Sequence, residues 1–208
     1  MTIDIQNLLE SILDSLSRIE YIQPEDMPDI HLYMDQVVTF MEGELSATKR
    51  YPDDKVLTKT MVNNYVKNKL LPPPERKKYS KEHILTLIFI YYFKNSLSMQ
   101  DIRSILGPLA DKYWDAESYP SLEDIYNAVF SLEETEVQHV TDEIREAFIL
   151  SQDAIDAMDA LDEDEADFLQ KFAFICLLSF DIYVKKLLVE KIIDSMDTTP
   201  GSDREKTD

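Results

Sequence analysis

The chain has 208 residues, is 44% hydrophobic and carries 41 acidic against 21 basic residues, a formal net charge of −20. This length admits one or two domains with a real core. One cysteine excludes an intrachain disulfide, and with only three glycines neither a P-loop nor a dinucleotide fingerprint is present.

In chain order, Ile5, Leu8, Leu9, Ile12, Leu13, Leu16 and Ile19 recur at helical spacing and predict an amphipathic N-terminal helix, assigned to 1–22. Two prolines, Pro24 and Pro28, then break the pattern. Leu32, Val37, Phe40, Met41 and Leu45 predict a second helix, and 47–57 a link. A third helix is expected from Thr58, its N-cap, with Met61, Val62, Tyr65, Val66 and Leu70 buried and Pro72-Pro73-Pro74 as the stop. Beyond a basic loop, Ser80 opens an apolar helix carrying Ile84, Leu87, Ile88, Tyr91 and Tyr92, with an incomplete capping box because His83 is neither Glu nor Gln. Leu97-Ser98 restarts a helix that Gly107-Pro108 is expected to end or kink, followed by an aromatic linker at 110–120. Residues 121–196 read as an acidic region of two helical stretches, 121–160 and 163–196, the first open to a break within it, turning at 161–167. The second is apolar on most faces, which predicts a central helix or an oligomer interface. The polar tail 197–208 is expected to be disordered.

Charge is distributed unevenly. Residues 49–103 hold 12 Lys/Arg against 5 Asp/Glu, a net of +7, and the remainder nets −27. A basic island in an acidic chain points to one face for a polyanion, with the rest kept off it.

The stretch 57–106 runs helix, Leu-Leu-Pro, basic loop, Tyr-Ser, apolar helix, Ser-Met-x-x-Ile helix. It resembles the winged helix-turn-helix of the mercury-resistance-regulator (MerR) family, with Tyr65, Leu70, Leu71, Pro73, Tyr79, Ser80, Leu87, Ile90, Leu97, Ser98 and Ile102 in matching places. Asn63 stands where that family has an arginine, and Lys69 where it has a glycine. The span from Pro28 to Leu106, including HLYMDQVVTFME, also resembles the bacterial domain of unknown function 1836. The first resemblance implies an all-α protein: a MerR-like winged helix-turn-helix at 28–107, followed by an acidic bundle of long helices for dimerisation or effector sensing. It also implies a cytoplasmic, homodimeric transcriptional regulator.

The residues themselves suit DNA. Lys59, Thr60, Asn63, Asn64 and Lys67 share the polar side of the third helix, where Asn can read adenine and Lys can meet guanine or phosphate. Lys69, Arg76, Lys77, Lys78 and Lys81 flank it as phosphate contacts, and Lys49, Arg50 and Lys55 offer a second anchor. The competing reading is a protein-interaction module, with a degenerate winged helix as scaffold and the acidic surface docking a partner. His31, His83 and His139 lack neighbours at zinc-ligand spacing, and Cys176 reads as a buried, inert thiol. No enzyme motif, cofactor or metal site is expected. The longest apolar run, 172–178, is far short of the roughly 20 residues of a membrane span, and the N-terminus lacks the basic region of a signal peptide.

Overall fold

The computed structural model describes residues 5–16, 21–115, 117–158 and 160–196. The tail from 197 and the last turn of the expected N-terminal helix lie outside these residues. Among the described residues the regular elements are helices apart from two short strands. In order they are α1 (Ile5–Leu16), β1 (Leu32–Tyr33), α2 (Met34–Glu44), α3 (Lys59–Lys67), β2 (Lys78–Tyr79), α4 (Lys81–Phe93), α5 (Met99–Tyr113), α6 (Leu122–Phe130), α7 (Glu133–Asp156) and α8 (Glu163–Met196).

Two compact units result. One comprises α1, α7 and α8 up to Leu188; the other runs from Tyr21 to Phe130 and includes the end of α8 from Val189. The second unit is wider than the 28–107 span read from sequence. α6 belongs to it, and the helical stretch 121–160 is two helices, parted at Ser131-Leu132.

The core of this unit forms around α4, in which every residue from His83 to Ile90 is buried. α5 and α6 both pack on it. Tyr126 of α6 is fully buried, its ring 5.7 Å from Phe89 and 4.3 Å from Phe130, and its hydroxyl donates to the Ile22 carbonyl at 2.8 Å. That bond fastens the unit's first residues to α6. Serine caps start both packing helices. Ser98 Oγ accepts from Asp101 N at 3.1 Å, and Ser121 Oγ from Asp124 N at 3.1 Å, each aspartate answering the cap's own N–H.

Three sequence expectations change. Leu32 lies in β1, not in the second helix, and pairs antiparallel with Tyr79. α5 runs through Gly107-Pro108 to Tyr113, since a proline in mid-helix removes one donor without necessarily ending the helix. α3 ends before Leu70, four residues ahead of the prolines. Its stop is a Schellman motif, with Lys69 N donating to Val66 O at 3.1 Å and Leu70 N to Tyr65 O at 2.9 Å. Leu70 and Leu71 then turn into the core.

In the other unit, Leu9 and Leu13 of α1 pack on Phe148 of α7, with Ile144 and Phe174 alongside. Arg145 meets Glu10 at 3.3 Å and Lys185 meets Glu143 at 3.1 Å. Of the two expectations for α8, a central helix or an oligomer interface, the first does not hold: most of its large apolar side chains are exposed, and so is Cys176, which was expected to be buried.

Tyr126→Phe leaves the buried Ile22 carbonyl without this donor. It should cost about 1–2 kcal/mol in urea denaturation, with the helical circular dichroism of the native state unchanged.

Candidate nucleic-acid interface

α3 is short, and its two sides differ. Val62 and Tyr65 are buried, and Thr60, Asn63, Asn64 and Lys67 are exposed on the opposite side. Thr58 is the N-cap, as expected, its Oγ1 accepting from Met61 N at 3.2 Å. The burial of Tyr65 raises the pKa of its phenol.

Beyond the Schellman stop, the chain forms a tight turn at Glu75–Lys78, closed by Lys78 N donating to Glu75 O at 2.8 Å. Arg76 and Lys77, the two central residues, have φ of 47° and 66°. Both central residues at positive φ is the turn type that matches the twist of a hairpin, normally filled by Asn-Gly. Lys69 at the end of α3 has φ of 58°. Each left-handed residue with a side chain costs about 1–2 kcal/mol relative to helical backbone. Three basic residues therefore occupy left-handed positions that glycine would fill more easily.

The remaining cations divide by what they touch. Lys59 is ion-paired with Asp35 of α2, and Lys81 with Glu123 of α6 at 2.9 Å. Lys78 lies over the Tyr33 ring, 5.4 Å from its centroid. Lys49 is held by Glu42. Lys94 turns inward, donating to Val56 O at 2.8 Å, and its burial lowers its pKa. Arg50 lies over the Tyr51 ring, and Lys55 is exposed. Among the described residues, Lys67, Lys69, Arg76 and Lys77 are exposed without an ion-pair partner. Of the ten expected contact residues, these four together with Thr60, Asn63 and Asn64 present free polar or charged groups.

Two residues that position this surface escaped the sequence reading. Glu42 on α2 organises the 47–57 link: Oε1 accepts from Val56 N at 2.8 Å and Leu57 N at 3.3 Å, and Oε2 takes Lys49. The Lys49 hydrogen bond chiefly, with the two amides, lowers the Glu42 pKa against a desolvation that raises it. The sequence around Glu42, Phe-Met-Glu-Gly-Glu-Leu, gave no sign of this.

The second is His83. Its Nδ1 accepts from Ser80 N at 3.0 Å and lies 2.9 Å from Ser80 Oγ. Imidazole thus completes the capping box that the sequence seemed to leave open. The ring packs edge-on against Trp114 at 4.7 Å and Tyr79 at 5.3 Å, and Trp114 packs on the core. Accepting at Nδ1 places the ring proton on Nε2, which is buried beside the Pro72 and Pro73 carbonyls without a well-formed hydrogen bond. Burial lowers the His83 pKa, against smaller raising effects of the Pro73 carbonyl and Glu82.

The family model for the domain of unknown function 1836 matches residues 22–129. The chain belongs to this family. The matched residues coincide with the Tyr21–Phe130 part of the compact unit, so the family domain is a physical unit that includes α6. No curated protein and no solved structure matches the chain.

Two titrations should distinguish the positioning residues. The folded pKa of His83 lies below its ordinary 6.5, so the unfolded chain takes up the proton first and stability falls as pH drops through that value. In His83→Gln the cap is kept and the titrating group removed. Urea midpoints between pH 7.5 and 5.5 should therefore fall less in the variant than in the natural chain. The folded pKa of Glu42 lies below its ordinary 4.5, so its contribution is complete above that value and is lost as pH falls through the lowered one. Glu42→Gln should cost about 1–2 kcal/mol at pH 7 and reduce the acid-side slope.

Proposed function

We propose that the chain binds DNA through α3 and the Glu75–Lys78 turn, as a MerR-like winged helix-turn-helix protein acting in transcription. The observation that carries this reading is the placement of Lys69, Arg76 and Lys77 in left-handed backbone, with Lys67 beside them. Strain of this kind persists where surrounding structure enforces it, and it concentrates at functional sites. A neutral role for the turn would favour Asn-Gly; a phosphate-binding role favours the long cationic side chains found there.

The element order supports the reading. α2, a link and α3 are followed by a turn whose return strand pairs with the strand before α2. α3 takes the place of the recognition helix and the turn that of the wing. In this arrangement Asn63 and Asn64 face base edges, and the four cations track phosphates. Lys59 and Lys81, each ion-paired within the unit, serve the fold first. The acidity of the rest of the chain confines attraction to this surface and disfavours other approaches.

Fluorescence anisotropy with a labelled mixed-sequence duplex tests the proposal. Four phosphate contacts predict a slope of about −4 for log K against log salt. The triple reversal Lys67→Glu, Arg76→Glu and Lys77→Glu should abolish binding with no loss of helix by circular dichroism. Absence of binding by the natural chain at low salt would overturn the proposal. So would a reversal that leaves affinity and salt slope unchanged.

A further inference from the structure

A groove open to solvent lies between α2 and the segment that leads into it. Pro28 and Leu32 line one wall, and Asp35, Gln36, Thr39 and Phe40 of α2 line the other; its volume is about 370 Å³. The polar side chains of the second wall are already engaged. Asp35 is ion-paired with Lys59, Gln36 Oε1 accepts from Tyr33 N at 2.9 Å, and Thr39 Oγ1 donates to the Asp35 carbonyl at 2.9 Å. What remains for an occupant is the apolar surface of Pro28, Leu32 and Phe40. Ile30 and Tyr33, on the same segment, add exposed apolar surface beside it.

Charge around the groove is one-sided. Glu25, Asp26 and Asp29 flank Pro28 in sequence, are exposed, and have no ion pair among the described residues. The nearby cations are spent elsewhere: Lys59 on Asp35, and Lys78 over the Tyr33 ring. An apolar groove beside uncompensated carboxylates suits a partner that joins an apolar side chain to positive charge.

The chain itself does not supply that combination. Residues 197–208 include Arg204 and Lys206 but no large apolar residue. The exposed cations Lys67, Lys69, Arg76 and Lys77 have Leu70, Leu71 and Tyr79 near them in sequence, all buried. At the end of α8, Lys185 is ion-paired with Glu143 and Asp181, and Lys186 and Lys191 are matched in charge by Glu190 and Asp194.

We propose that the groove docks a segment of another protein, one large apolar side chain with lysines or arginines close to it in sequence. The apolar side chain packs on Leu32 and Phe40, and the cations meet Glu25, Asp26 and Asp29. An anchor seated in a pocket supplies most of the affinity, and the surrounding charge selects the partner. No lining residue belongs to the surface proposed for DNA, so the proposal does not rest on that reading.

Peptide selection on the full chain tests it. A random dodecapeptide library is selected on the immobilised chain at about 0.15 M salt, which screens distant charges. It is counter-selected on Thr39→Arg, in which a long side chain from an exposed position closes the groove. Peptides that combine a large apolar residue with lysine or arginine should be enriched. In fluorescence anisotropy with a labelled peptide of that consensus, affinity should fall at least about tenfold on Thr39→Arg, on Phe40→Ala, and on joint Asp26→Lys and Asp29→Lys. Serine in place of the peptide's apolar residue should abolish binding. Thr39→Arg and the charge reversal alter exposed positions and carry the test if Phe40→Ala loses its helical circular dichroism. The proposal is overturned by a selection that enriches nothing, by binding that survives the serine peptide, or by affinity indifferent to Thr39→Arg. Self-association of the natural chain that Thr39→Arg abolishes also overturns it, since a second copy then fills the groove.

Discussion

A helix without a polar side can be accommodated in water only by covering it all round. α4 imposes that requirement on residues 21–130, because its stretch from His83 to Ile90 is buried without interruption. α5, α6 and β2 are brought against it, and the hydroxyl of Tyr126 fastens Ile22 across the same core. The placement of α3 and the basic turn follows. Leu70 and Leu71 are drawn inward behind the Schellman stop, and Tyr79 is drawn inward beyond the turn. The residues between them are left to form the outward excursion that carries Arg76 and Lys77.

The sequence made most helices legible because apolar spacing reports which residues must leave water. It could not distinguish α4 from α8. Both are apolar nearly all round, yet one lies at the centre of a unit and the other presents its side chains to solvent. Composition records a demand for burial and is silent on whether the same chain meets it. Cys176 was misread for that reason, inheriting an expectation of burial from its neighbours. Local stops were misassigned differently. Pro72 is a conspicuous breaker, but hydrogen bonds from Lys69 and Leu70 had already ended α3. Imidazole acting as a capping acceptor lies outside the usual pattern of Glu or Gln, and only the orientation of the ring exposes it.

The basic island proves heterogeneous once side chains have partners. Lys49, Lys59 and Lys81 neutralise carboxylates of their own unit, and Lys94 satisfies a backbone carbonyl. A charge count treats these as equal to Lys67 or Lys77, though their electrostatic field outside the protein is largely cancelled. The surface formed by Lys67, Lys69, Arg76 and Lys77 is smaller than the +7 segment and better defined, because backbone conformation fixes where three of its four members stand.

The Glu42 carboxylate binds Lys49 on one oxygen and the amides of Val56 and Leu57 on the other. Residues 50–55 are thereby closed into a loop whose two ends meet on a single side chain, and α3 starts from a fixed point whatever the loop contains. Lengthening such a loop is inexpensive, since each doubling adds only about 0.6 kcal/mol of closure entropy. The segment around Asp53-Asp54 is thus where the chain tolerates an inserted tag or reporter without shifting α3, and where relatives of different length would be expected to differ.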